Sequence, residues 1–394
     1  MEKSAEEKNL MLAMAATIGV FCLGQIPGSI DAAISKISIA FNLSSTSGMY
    51  MTTVACLVSV AFSVVLGMIA GKKVSFRTLI LFCATVELVT ALVPFLVDNF
   101  VVLVVLRGLF GIGFGGMQSM ETAVTTALIP PHKRAALLGA GMSFGFGANC
   151  VLQLLGGVLA DIGWNYTFLN HLLLLIPYAV VVVACFKLDF NAQHEGEGHE
   201  AAEQLPEKLS LPIYQTWVLM LLVGVFIAPL LVGASFLSEQ IIASAFVAGV
   251  VCVCFSVGCM VGGAIYPKLY ERLGFVSLPV FLLLMAAGIA GCGLSHNIVG
   301  LCVAIFFAGV GFSTTQACCM MVLTLRIAHT RVAFSAAIMM ALFNLGMFLS
   351  SEYEEVVGMV CGDALYAPLF FAAVVLVVLA VFFVVVSPLR ERRG

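Results

Sequence analysis

The sequence predicts an all-α integral membrane protein: twelve transmembrane helices in two pseudo-symmetric six-helix bundles. Three observations predict it. The 394 residues are 62% hydrophobic and 10% charged, whereas a soluble domain carries roughly 25% charged residues. No water-facing surface can be made from such a composition, so much of the surface faces lipid. Apolar runs near the ~20 residues that cross a hydrocarbon core recur along the chain. Finally, the phrase GIGFGGMQ at 111–118 returns as GVGFSTTQ at 309–316, 198 positions later.

In order, the twelve runs lie at 10–34, 48–70, 77–97, 100–127, 135–160, 167–186, 213–236, 242–266, 276–295, 298–324, 333–351 and 364–387. Lipid offers the backbone no partner but itself, so each run is expected to be helical. Barrel strands would be shorter and would alternate. The opening MEKSAEEKNL has no basic n-region and cleavage site, so the first run is expected to remain a span.

Charge orients the spans. With both termini cytoplasmic, the cytoplasmic segments hold 16 of the 18 Lys and Arg residues, the outer loops hold Lys36, and span 4 holds Arg107. This imbalance predicts both termini on the cytoplasmic side of an inner membrane. It also checks the span count, because one missed helix would invert every later loop. Outer loops are short, VDN at 97–99 and SHN at 295–297. The acidic segment 187–212 reads as a cytoplasmic linker between a first bundle, 1–186, and a second, 213–394. Its His194 and His199 read as solvated rather than metal-binding. The 13 cysteines fall almost entirely in apolar runs and read as small hydrophobes.

The doubled phrase sits in span 4 and span 10, the same place in each half. Ala135 and Ala333 open the next spans at the same offset, after the basic stretches PPHKRA and AHTRVA. GMIAGKK from Gly67 and GAIYPKL from Gly263 put Lys72 and Lys268 in register. Both repeats begin inside, so an axis along the membrane normal relates them. A substrate site is expected between them at mid-membrane.

These residues resemble the major facilitator superfamily of secondary transporters, and the resemblance spans the whole chain. GMIAGKKVSFR (67–77) is similar to that family's first inner-loop signature through Gly67, Lys72, Lys73 and Arg77, with Gly71 where the family has Asp. LVVLRGLFGIG (103–113) is similar to the span-4 signature of proton-linked drug exporters. LGGVLADIGWNYTFL (155–169) resembles the usual exit of span 5, but Leu152-Gln153 stand where antiporters have Gly-Pro. The resemblance implies alternating access between two six-helix halves.

Ionisable groups inside spans are costly and mark candidate sites. Span 4 carries Arg107 and Glu121, which share a helical stripe with Gly111, Gln118 and Thr125 at 100° per residue. Asp31, near the outer end of span 1, is expected to pair with Arg107 and to gate on protonation. Glu121 is expected to take part in coupling or to clasp Lys72, Lys73 or Arg134. Glu87, in span 3, is expected to bond a neighbouring helix or to share in coupling. Gln25, Gln118, Asn149, Gln153, Gln316 and Asn344 are the candidate substrate contacts. Gly258, Gly262 and Gly263 read as packing within one subunit, and a monomer is expected.

A small-molecule carrier is therefore expected, with protons as coupling ions. The motif in span 4 points to efflux of a drug-like or metabolite substrate. Uptake symport or exchange of a small organic solute is the alternative, and the departure at Leu152-Gln153 supports it. There is no nucleotide-binding motif to make ATP the driver, no HExxH or GxSxG for a membrane enzyme, no channel filter, and no basic stripe for nucleic acid. No cofactor is expected.

Overall fold

The computed structural model describes residues 2–26, 28–69, 74–188, 210–326, 329–363, 365–386 and 388. All twelve spans are present as long apolar helices, and no strand occurs among the described residues. The helices are α1 (Glu2–Gly24), α2 (Ile34–Ala40), α3 (Ser45–Ile69), α4 (Phe76–Leu92), α5 (Phe100–Leu128), α6 (Pro131–Ile162) and α7 (Leu175–Lys187), followed by α8 (Leu211–Ile241), α9 (Ala245–Leu273), α10 (Ser277–Leu294), α11 (Ile298–Arg326), α12 (His329–Cys361) and α13 (Tyr366–Val385). Most of the segment expected to be a linker lies outside the described residues, as do Lys72 and Lys73.

Twelve crossings put both chain ends on one face, here the terminal face; the opposite face is the far face. The short far-face loops stop and restart helices with side-chain caps. Asn99 accepts from the Val102 amide at 3.2 Å to start α5, and Asn297 accepts from the Gly300 amide at 2.7 Å in the first turn of α11. Asp363 accepts from the Leu365 and Tyr366 amides at the start of α13. Each cap satisfies amides that a first helical turn leaves unpaired. Gly274 (φ 54°) and Gly362 (φ 73°) end α9 and α12 in the left-handed region that glycine enters without a Cβ penalty.

The doubled phrase is a close-packing device used twice. A Cβ on Gly111 would lie 2.2 Å from the Ala55 carbonyl oxygen of α3, and one on Gly113 would lie 2.6 Å from the Cys83 carbonyl oxygen of α4. In the second copy, a Cβ on Gly309 would lie 2.2 Å from the Phe255 carbonyl oxygen of α9, and one on Gly311 would lie 2.5 Å from the Met285 nitrogen of α10. α5 and α11 thus run backbone to backbone between two neighbours each, as small residues permit in lipid. Gly258 and Gly262 likewise press on α11, which fits packing inside the chain, while Gly263 faces open space.

Two spans depart from the expected single helix. Span 1 does not continue from 10 to 34: α1 ends at Gly24, residues 28–30 form a turn, and a 3-10 turn at Asp31–Ala33 leads into α2. The sequence GQIPGS holds the helix-breaking residues at this point. Span 6 begins as a 3-10 helix over Trp164–Leu174 and becomes α-helical only at Leu175. A 3-10 run of this length is uncommon. Here polar side chains hold it: Thr167 donates to the Gly156 carbonyl, and Asn170 donates to the Leu152 and Ser29 carbonyls.

Candidate functional site

The halves meet through α3 with α12, α6 with α9, and residues 31–40 with α8 and α9. The far face carries most of the polar links. Tyr50 donates to Glu352 at 3.0 Å, and Thr53 and Ser351 share a hydrogen bond of 3.2 Å. Ser35 donates to Glu239. Asp161, at the end of α6, accepts from Ser244 Oγ at 2.7 Å and from the Ala245 and Phe246 amides at 2.8 and 3.1 Å. A carboxylate of the first half therefore caps α9 of the second, where negative charge also suits the helix dipole. Lys36 adds an ion pair to Asp161 at 3.7 Å. Below this seal, a Cβ on Gly157 would lie 2.4 Å from the Ala245 carbonyl oxygen, so α6 and α9 touch at the backbone.

At mid-depth a bond joins the halves: Asn344 Nδ2 of α12 donates to Gln118 Oε1 of α5 at 3.0 Å. Gln25, just past α1, donates to Glu121 Oε1 at 2.9 Å, and Thr125 donates to the Glu121 carbonyl. Gln316 Nε2 lies 3.4 Å from Met340 Sδ, and Gln25 Nε2 lies 4.0 Å from Met142 Sδ. Amides, one acid and polarizable thioethers thus form one layer, an adaptable lining for an organic solute. Of the sequence candidates, Gln25, Gln118, Glu121, Gln316 and Asn344 take part in it.

A second polar layer lies nearer the far face. Arg107 is fully buried; its Nε donates to the Met51 carbonyl at 2.7 Å, and its guanidinium lies 4.3 Å above the Phe110 ring. Asp31 is 1% exposed and accepts from Thr52 Oγ1 at 2.9 Å. Consecutive residues of α3 therefore hold Asp31 and Arg107, which lie within Coulombic range of each other, and Glu87 lies within that range of Arg107. Gln153 donates to the Gly28 carbonyl at 3.2 Å, and its Oε1 is buried without a partner, as is Asn149 Oδ1.

Some expectations change. The span-4 stripe does not face one open path: Arg107 and Gly111 face α3, while Gln118 faces α12 and Glu121 reaches the end of α1. Glu121 bonds Gln25, and Arg134 Nε donates to the Ile129 carbonyl; Lys72 and Lys73, the other expected partners of Glu121, lie outside the described residues. Glu87 is fully buried between α4 and α5, and neither of its carboxyl oxygens has a hydrogen-bond partner, so it bonds no neighbouring helix. Gly67 lies in the last turn of α3, and Arg77 stacks over the Phe186 ring of α7 at 4.2 Å. Ser29, Thr52 and Asn170 join the site without having been sequence candidates. Their only signal was being polar in apolar spans.

A family model described as Major Facilitator Superfamily matches residues 15–351, and the chain belongs to that family. Over 84 residues it is 33% identical to vacuolar basic amino acid transporter 2 of Saccharomyces cerevisiae. That match covers 21% of this chain and 17% of the relative, well under two thirds of the relative's length. A crystal structure of a mutant of the nucleoside transporter NupG superposes with a TM-score of 0.70 over 95% of this chain and 99% of that one, at 12% identity. At that identity the likeness shows the fold alone.

Proposed function

We propose that this chain is a proton-coupled carrier that exports a small drug-like or metabolite molecule by alternating access. One observation carries the reading. Glu121, a buried acid held by Gln25, sits in the same mid-depth layer as the Gln118–Asn344 bond between the halves. A solute entering this layer competes for the Gln25 and Gln118 amides, so its binding is coupled both to the proton on an acid and to the contact between halves. Asp31 and Arg107, held on consecutive residues of α3, form the gating pair above it.

The excess of Lys and Arg in alternate loops supports a cytoplasmic terminal face in the inner membrane. The far-face seal then supports a carrier closed to the outside, working as a monomer. Uptake symport or exchange is the second reading, and Gln153 in place of the antiporter proline supports it. Basic amino acids and nucleosides, for which the two similar proteins are named, are the first solutes to test beside hydrophobic cations.

The test uses proteoliposomes with an imposed pH gradient. Accumulation of labelled tetraphenylphosphonium, a basic amino acid or a nucleoside against its gradient, abolished by a protonophore, supports proton coupling. Counterflow that persists without any pH gradient while accumulation never occurs would overturn it in favour of exchange.

A further inference from the structure

The break in span 1 and the 3-10 start of span 6 meet at one point. Ser29 lies in the turn that leads to Asp31. Its carbonyl accepts from Asn170 Nδ2 at 2.9 Å, and the same amide donates its other hydrogen to the Leu152 carbonyl at 2.9 Å. Its hydroxyl lies 2.8 Å from His171 Nε2. His171 Nδ1 lies 3.1 Å from the Phe168 carbonyl, which only accepts, so Nδ1 carries the hydrogen. In the neutral ring Nε2 is then the acceptor, and Ser29 Oγ donates to it. The other edge of this imidazole meets Phe110, ring centroids 6.3 Å apart, and Phe110 is the ring beneath Arg107. Asn170 and His171 are both fully buried.

We propose that Asn170 and His171 are positioning residues: through Ser29 and Phe110 they hold the turn carrying Asp31 and the ring carrying Arg107 in fixed register. The inference rests on the proposed gating role of that pair. The turn is held internally by i→i+3 backbone bonds (Ser29 to Ile26, Asp31 to Gly28, Ala33 to Ile30), which shape it, while the side-chain anchors tie it to the neighbouring helices. Around Asp31 lie Arg107 on α5, Cys56 on α3 and Cys252 on α9, while Glu87 on α4 and His171 face Arg107.

The test is infrared titration of the purified full-length protein, with the carboxyl band of Asp31 assigned by its loss in Asp31→Asn. His171→Leu and Ser29→Ala should each move the midpoint of that band by about 1 pH unit, because both change the surroundings of one buried acid. The double variant should move it no further, and His171→Gln, which retains an acceptor for Ser29, should restore it substantially. An unmoved midpoint in folded His171→Leu, or fully additive shifts, would overturn the proposal. Should His171→Leu not fold, Ser29→Ala, which removes only a hydroxyl, decides alone by the same midpoint. A protein whose Asp31 band shifts as stated but which moves no protons with solute would refute the proposed coupling and leave this positioning role intact.

Discussion

Asn344 of α12 donates to Gln118 of α5 at 3.0 Å, across the line where the two halves face each other. In the proposed carrier, this bond ties the layer proposed to bind solute to the contact that has to break for the halves to move. Asn344→Ala leaves Gln118 Oε1 unmatched and removes about 1 kcal/mol of net hydrogen bonding, a change of about fivefold in affinity. A solute that competes with this bond no longer has to break it, so apparent KM for the transported solute should fall by that order in Asn344→Ala, whereas Gln118→Ala, which removes the competed-for amide itself, should not lower it. Initial-rate transport measurements check this.

Asp161 seals the far face by capping a helix of the other half. Loss of a cap costs about 1 kcal/mol, enough to change the ratio of two access states about fivefold. Thr53→Cys, buried at the α3–α12 contact, should react several times faster with an impermeant maleimide when combined with Asp161→Ala. Mass spectrometry of the peptide carrying position 53 reads the label. An unchanged rate would mean that Tyr50 and Ser35 hold the seal without it.

The glycines of the doubled phrase are needed for space. Gly111→Ala and Gly309→Ala each drive a methyl against a carbonyl oxygen and should lower stability by about 1–3 kcal/mol. Gly263→Ala, with nothing within 4 Å of its Cβ, should melt like the parent. Thermal unfolding in detergent compares the three.

Glu87 has no hydrogen bond to lose. Replacing an unpartnered buried carboxyl with an apolar side chain of similar size is close to neutral or stabilising. Glu87→Leu should therefore melt at or above the parent temperature. If transport also survives, its role is structural; if proton movement alone is lost, it belongs with Asp31 and Arg107.

Much of this architecture was legible in sequence for a physical reason. Lipid leaves the backbone one solution, so apolar runs near 20 residues report helices directly. The phrase at 111–118 and 309–316 reports a repeat because close helix approach at two neighbours permits few residues but glycine. Gln118, Asn344, Gln25 and Glu121 stood out because polar groups are costly in spans. What sequence hid was which atoms they meet. Ser29, Asn170 and His171 act on backbone carbonyls exposed where spans 1 and 6 leave the α-helix, and no periodicity reports that.

In the proposed carrier, solute binding and proton release are one event. A sensitive pH electrode in unbuffered detergent solution tests it, with tetraphenylphosphonium, a basic amino acid and a nucleoside added in turn. A burst of protons is expected with at least one of them, lost in Glu121→Gln or Asp31→Asn while the solute still binds by isothermal calorimetry. Tight binding by calorimetry with no proton released from the parent protein would contradict it.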